Sequence, residues 1–267
     1  MSRRGKAKTS SVSTPASGAA KAGGRREPPA AESAAAAIAR REFSDGAALA
    51  EAFARWTAQL LREAVDLRGE AAIAVSGGTT PKLYFAALSR QEIDWSRITV
   101  TLVDERRVAD DNPRSNARLA RDLLLQNRAA EARFAPLADS RLSPERELAA
   151  AQARIADLPL PLDLVVLGMG EDGHTASWFP HGDLLVTAMN PGGRALVLPM
   201  SAPAAPESRL TLTARVILRA RALALQIEGE AKRAVLAKAL GAGPAAEMPI
   251  RTVLREAGDR LTIFEAA

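Results

Sequence analysis

Three apolar runs of strand length, each broken off by a polar or glycine-rich loop, constrain the fold of this chain more than any other feature. They are residues 71–75 (AAIAV), 98–103 (ITVTLV) and 162–167 (LDLVVL). Strands that are apolar at nearly every position bury both faces, which happens when crossover helices cover a parallel sheet. The intervening segments supply such helices. One starts at Ser44-Asp45, carries Ala48, Leu49, Phe53, Trp56, Leu60, Leu61 and Val65 at helical spacing, and stops near Gly69. Others are expected over residues 81–88, 116–125, 144–155, 230–240 and 250–256, with further strands over 195–198, 223–227 and 261–264. The pattern predicts an α/β protein with a mostly parallel sheet, formed as one domain over residues 37–267. In such sheets ligands bind outside the carboxyl ends of the strands, so the loops that end the three runs are the place to look for chemistry.

Composition limits that chemistry. The 267 residues are 47% hydrophobic, enough for a core without covalent staples. There is no cysteine, which excludes disulfides, thiolate nucleophiles and iron-sulfur or cysteine-zinc sites. Two histidines, His174 and His181, are too few for an imidazole-based metal centre. The net charge of +5 suggests a nucleic-acid partner until its location is considered. Seven of the 36 basic residues, and no acidic one, lie within the first 26 positions, leaving 29 basic against 31 acidic residues elsewhere. Residues 1–36 read as a disordered, basic, Ser/Ala/Gly/Pro-rich tail. That tail leaves weak nucleic-acid binding open, while the body is expected to bind no nucleic acid. No stretch reaches the roughly 18 apolar residues of a membrane span.

The first loop is Ser76-Gly77-Gly78-Thr79-Thr80-Pro81. Its glycines let backbone amides approach a ligand, Thr79 or Thr80 is expected to cap the next helix, and amides at such a position bind phosphate. An ordinary strand-to-helix turn uses the same residues, and the GxxxxGK[ST] spacing of a nucleotide P-loop is missing. The second loop, Asp104-Glu105-Arg106-Arg107 through Ser115-Asn116, offers arginines suited to bidentate phosphate binding. Within it Glu105 reads as structural. The third, Gly168-Met-Gly-Glu-Asp-Gly-His174, satisfies GxGxxG. Glu171 and Asp172 would oppose a pyrophosphate, however, and Pro180 cuts the following helix short, so the dinucleotide fingerprint is taken as accidental. What the loop does present is His174 beside Asp172, an imidazole suited to proton transfer near neutrality. His181 reads as structural. No GxSxG elbow or buried lysine offers a covalent nucleophile, so base-assisted attack by water, or enolisation of a sugar phosphate, fits best.

The segments VSGGTTP, VDERRVADDNPRSN and GMGEDGHTASWFP, in this order, resemble those of the 6-phosphogluconolactonases, over residues 37–267. The related glucosamine-6-phosphate deaminases carry a Met-Asp-Glu-Tyr type second loop and follow Asp-Gly-His with Ile-Ala-Phe-Asn-Glu, whereas this chain continues Thr175-Ala-Ser-Trp-Phe-Pro180. The resemblance implies a three-layer α/β/α modified Rossmann-like fold, no metal or other cofactor, and an enzyme of the oxidative pentose phosphate pathway acting on a small phosphosugar lactone; a cytoplasmic setting and a monomer are expected, although the sequence does not report oligomeric state. By the same resemblance His174 would activate water, Asp172 would orient it, and Asp104 would hold an arginine or a sugar hydroxyl. Arg106, Ser76, Gly77, Gly78 and Thr79 would bind phosphate, with Arg209 as a second cation. A lysine that many relatives carry ahead of Arg209 is absent, since this chain reads Ala204-Ala-Pro-Glu-Ser-Arg209; Lys82 and Arg107 are candidates to replace it. An amino-sugar-phosphate deaminase or isomerase, and a phosphosugar-binding protein without catalysis, are the competing readings.

Overall fold

The computed structural model describes residues 38–267 together with Met1, and the expectations for the basic tail lie outside the described residues. The strands are β1 (Ala39–Phe43), β2 (Ala71–Val75), β3 (Ile98–Leu102), β4 (Asp104–Arg106), β5 (Arg133–Ala135), β6 (Leu164–Leu167), β7 (Val197–Met200), β8 (Arg209–Leu212), β9 (Ala222–Glu228) and β10 (Leu261–Ala266). The α-helices are α1 (Gly46–Arg68), α2 (Lys82–Leu88), α3 (Asn116–Leu123), α4 (Pro144–Ala156), α5 (Leu185–Ala188), α6 (Ala214–Ile217), α7 (Glu230–Leu240) and α8 (Ile250–Glu256). Seven strands form one sheet in the order β1-β10-β9-β6-β2-β3-β5, with every neighbouring pair parallel. Every residue of β2 is fully buried, as are those of β6, so both faces of the sheet centre are covered by helices and loops. This is the expected α/β architecture.

α1 shows how local sequence sets an element. Asp45 Oδ1 accepts from the Ala48 amide at 2.8 Å and opens the helix. It closes at Gly69, whose left-handed φ of 79° lets its N–H donate to Val65 O. The buried stripe of the helix is pinned by aromatics: Phe53 stacks on Tyr84 of α2 at 4.1 Å and on Phe264 of β10 at 4.2 Å. Such pairs contribute about 1 kcal/mol each beyond area burial. Thr57 Oγ1 and the Tyr84 hydroxyl share a hydrogen bond of 3.0 Å. The helix that follows the first loop is thereby fixed from behind.

The strand order creates the crevice. From β2 the chain runs outward to β3 and β5, then returns to lay β6 on the opposite side of β2. Ligands in open α/β sheets collect at such a switch point, beyond the carboxyl ends of the diverging strands. Here those ends release the Ser76 loop after β2 and the Gly168 loop after β6.

A second sheet was not anticipated. β4, β8 and β7 form an antiparallel three-stranded sheet in which Asp104 pairs with Thr211 and Arg106 with Arg209. The second loop thus begins as a strand, and strand alternation sorts its charges: Asp104 and Arg106 share one side while Glu105 faces the other. Glu105 is buried against the start of α3. It accepts from Ser115 Oγ (3.1 Å) and from the amides of Asn116 (2.8 Å), Ala117 (2.6 Å) and Arg106 (2.7 Å). Burial pushes its pKa up and the amides oppose that rise. The structural reading of Glu105 therefore has a physical basis. Glu105→Ala would strand several buried donors and is expected to lower unfolding free energy by about 3 kcal/mol. Equilibrium urea unfolding checks this, and an unchanged midpoint would contradict the role.

Candidate active site

A cleft of about 230 Å³ lies at the switch point. It has room for a monosaccharide-sized ligand. Its walls include Ser76, Gly77, Gly78, Thr79, Asp104, Arg106 and His174, drawn from all three loops.

The first loop contributes backbone. Among the described residues the amides of Gly77, Gly78 and Thr79 donate to no protein acceptor, so they are available to a ligand. Gly77 has no room for a side chain, because a Cβ there would lie 1.9 Å from Asn116 Oδ1. The expected threonine cap is not formed. α2 begins after Pro81 with no side-chain hydrogen bond, and Thr80 Oγ1 instead accepts from Lys232 Nζ at 2.9 Å. The loop is tied sideways to α7 rather than forward into its own helix.

The third loop holds His174 and its carboxylate partner. Gly170 N–H donates to His174 O (2.9 Å) and Gly173 N–H to Gly170 O (3.0 Å), which curls the turn tightly. A Cβ at Gly170 would lie 2.2 Å from the His174 ring. Asp172 Oδ1 accepts from the His174 amide at 3.0 Å and stands 2.6 Å from His174 Nδ1. Burial raises the Asp172 pKa, but its hydrogen bonds and charge interaction with His174 outweigh that and leave it below the usual carboxylate value. An ionised carboxylate only accepts, so Nδ1 is the donor of this pair, and in the neutral imidazole Nε2 is then the acceptor. The ring rests on Phe179, centroids 4.5 Å apart. His181 lies exposed and away from the cleft walls.

The cations sort by their partners. Arg107 is committed to Glu147 (Nε–Oε2 2.5 Å) and Lys82 is exposed outside the cleft, so neither replaces the missing family lysine. Arg106 and Lys232 both line the cleft, and among the described residues neither has a carboxylate within 4.0 Å. Arg106 donates through Nη1 to Arg114 O (2.5 Å), and its Nε is buried without a partner. Burial lowers the Lys232 pKa while Glu228 and Glu171 counter the effect. Arg209 sits behind these groups. It is buried, lies 3.6 Å from Glu207 and covers the Phe179 ring at 5.6 Å, without reaching the cleft wall. Burial and the adjacent Arg106 charge lower its pKa.

Lys232 and Gln226 are the cleft residues that the motifs did not single out. Gln226 Nε2 donates to Thr80 O (3.3 Å) and to Glu228 Oε1 (2.7 Å), holding the rim. The signal was present: β9 also ends at this edge of the sheet, and Gly229 leads directly into α7, whose first turn carries Lys232. No group of three or more His, Asp or Glu among the described residues is placed to hold a metal.

Comparison with known proteins supports the same reading. Residues 44–263 match the model of the family described as glucosamine-6-phosphate isomerases/6-phosphogluconolactonase. A 6-phosphogluconolactonase of Rhizobium meliloti is 51% identical over 224 residues, 84% of this chain and 97% of the relative. One from Pseudomonas aeruginosa is 44% identical, covering 80% and 90%. A crystal structure of a 6-phosphogluconolactonase from Shewanella baltica superposes with a TM-score of 0.83 at 40% identity, covering 86% of this chain and 98% of the other. With its fold, its three loops and most of its length accounted for in this way, the chain belongs to the glucosamine-6-phosphate isomerase/6-phosphogluconolactonase family.

Proposed function

We propose that this protein hydrolyses 6-phospho-D-glucono-1,5-lactone to 6-phosphogluconate, in the oxidative pentose phosphate pathway. The observation that carries the reading is the pairing, in one cleft, of two cations lacking carboxylate partners with His174, whose Nδ1 stands 2.6 Å from the Asp172 carboxylate. Unpaired cations beside free amides form a dianion site, and Arg106, Lys232 and the Ser76–Thr79 loop would hold the phosphate. Arg209 adds positive charge behind Arg106, and a bound dianion relieves the repulsion between the two guanidinium groups.

With the phosphate held, the lactone carbonyl C1 is presented to a water near His174. Nε2 removes a proton as the water oxygen bonds to C1, and Asp172 stabilises the imidazolium through Nδ1–H. Collapse of the tetrahedral intermediate breaks the bond from C1 to the ring oxygen. The imidazolium proton passes to that oxygen, which becomes the C5 hydroxyl, and the new carboxylic acid ionises to release one proton. Asp104 serves as an acceptor for a sugar hydroxyl. The deaminase reading is weaker because the turn after His174 offers no further carboxylate: Thr175 Oγ1 donates to Gly168 O and Ser177 Oγ to Asp104.

The exposed large apolar side chains Leu67, Leu83, Leu160 and Val186 lie on separate segments of the chain. Their separation supports a monomer. A cytoplasmic setting fits the phosphorylated substrate, and no described helix is long and apolar enough to cross a membrane.

Proton release from fresh 6-phosphogluconolactone, followed with a pH indicator against the spontaneous rate, tests the assignment. His174→Ala is expected to lower kcat by about 10²–10⁴-fold. Release no faster than buffer from the wild-type protein would overturn the function. Lys232→Ala should raise KM for the phosphorylated lactone by about tenfold or more, as expected for a lost charge-assisted bond, and leave the slow turnover of unphosphorylated gluconolactone unchanged. Equal effects on both substrates would show that Lys232 does not read the phosphate.

A further inference from the structure

Beyond the phosphate cradle and the His174 couple, one buried polar cluster touches the cleft. Asp104 is 7% exposed and borders the cleft from β4. Its Oδ2 accepts from Ser177 Oγ at 2.5 Å, and Ser177 is fully buried. The Ser177 amide in turn donates to Thr211 Oγ1 (3.2 Å), and Thr211 is the register partner of Asp104 across β4 and β8. On the other flank Asn116 Nδ2 donates to Asp104 O at 2.9 Å and stands 3.4 Å from Asp104 Oδ1. The two carboxylate oxygens are therefore unequal. Oδ2 is engaged by a short bond inside the protein, and Oδ1 carries only a long contact.

A carboxylate's terminal torsion is broad and close to two-fold. Left alone, Asp104 would turn between orientations and would be drawn toward the Arg106 guanidinium on the same side of β4. The Ser177 hydroxyl removes that freedom. It is also carried by the turn that carries His174, so the orientation of Asp104 is coupled to the position of the base. We propose that Ser177 is a positioning residue that fixes Asp104 with Oδ1 available to accept one hydroxyl of the sugar ring, holding the lactone in register with His174. The proposal rests on the lactonase reading above. Ser177 touches no substrate and acts only through Asp104.

The test is a double-mutant cycle with the intact enzyme and 6-phosphogluconolactone, using Ser177→Ala, Asp104→Ala and the double variant. Ser177→Ala removes one oxygen atom from a packed site, and thermal unfolding recorded alongside shows whether the fold persists. Ser177→Cys, with a weaker donor of similar size, carries the measurement if it does not. The expected result is a KM raised about five- to tenfold in Ser177→Ala with kcat within about twofold, because a bond to a non-reacting hydroxyl stabilises ground and transition states alike. In the Asp104→Ala background the same substitution should change KM by less than about twofold. A Ser177→Ala enzyme with wild-type KM, or one whose defect persists in full without Asp104, would overturn the positioning role and leave the lactonase reading standing. Absence of hydrolysis by the wild-type protein would overturn both.

Discussion

The site depends on the placement of β2 between β3 and β6. All three strands are parallel, β2 is hydrogen-bonded on both sides, and each of its five residues is fully buried. Ala71, Ala72 and Ala74 keep its faces low, so covering elements pack close. Because the chain leaves β2 in one direction and returns on its other side, the connections diverge at the carboxyl ends and a crevice opens there. The Ser76 loop and the His174 turn face each other for this reason.

Electrostatics then separates scaffold from function. Most cations around the cleft are satisfied internally: Arg107 by Glu147, Arg114 by Glu207, and Arg209 by Glu207 with stacking on Phe179. The acids are likewise committed, with Glu105 bound to the start of α3 and Asp172 to His174. Against that background Arg106 and Lys232 stand out, because charges half-buried at a cleft without a carboxylate partner are costly unless a ligand supplies the opposite charge. The second sheet makes this arrangement possible. Alternation along β4 turns Asp104 and Arg106 to the cleft and sends Glu105 to the interior, so one Asp-Glu-Arg triplet serves both the cleft and the fold.

Much of this was legible in the chain. The run at residues 71–75 is β2 residue for residue, α7 and α8 have the expected bounds, and α1 starts at Asp45 and stops at Gly69 as its caps require. The His174 turn was visible because its glycines and its rare imidazole stand together at a strand end. Short or charged strands were not legible. β1 is an exposed edge strand of sequence ARREF, and β4 reads DER, so neither shows the alternation that marks a half-buried strand. The strand expected over residues 195–198 is displaced to Val197–Met200, where pairing with β8 sets its register.

The sequence by itself determined the alternation of strands and helices, the parallel character of the sheet and the three loops that line the cleft, because apolar period, caps and glycines act over a few residues. Only the tertiary structure decided which cations are free. Lys232 lies 152 positions from Thr80, yet its ammonium bonds the Thr80 hydroxyl, while Arg107, next in sequence to Arg106, is spent on Glu147. Whether a charge is neutralised or left for a ligand depends on partners distant in the chain, and those are assigned only when the strand order brings the loops to one edge.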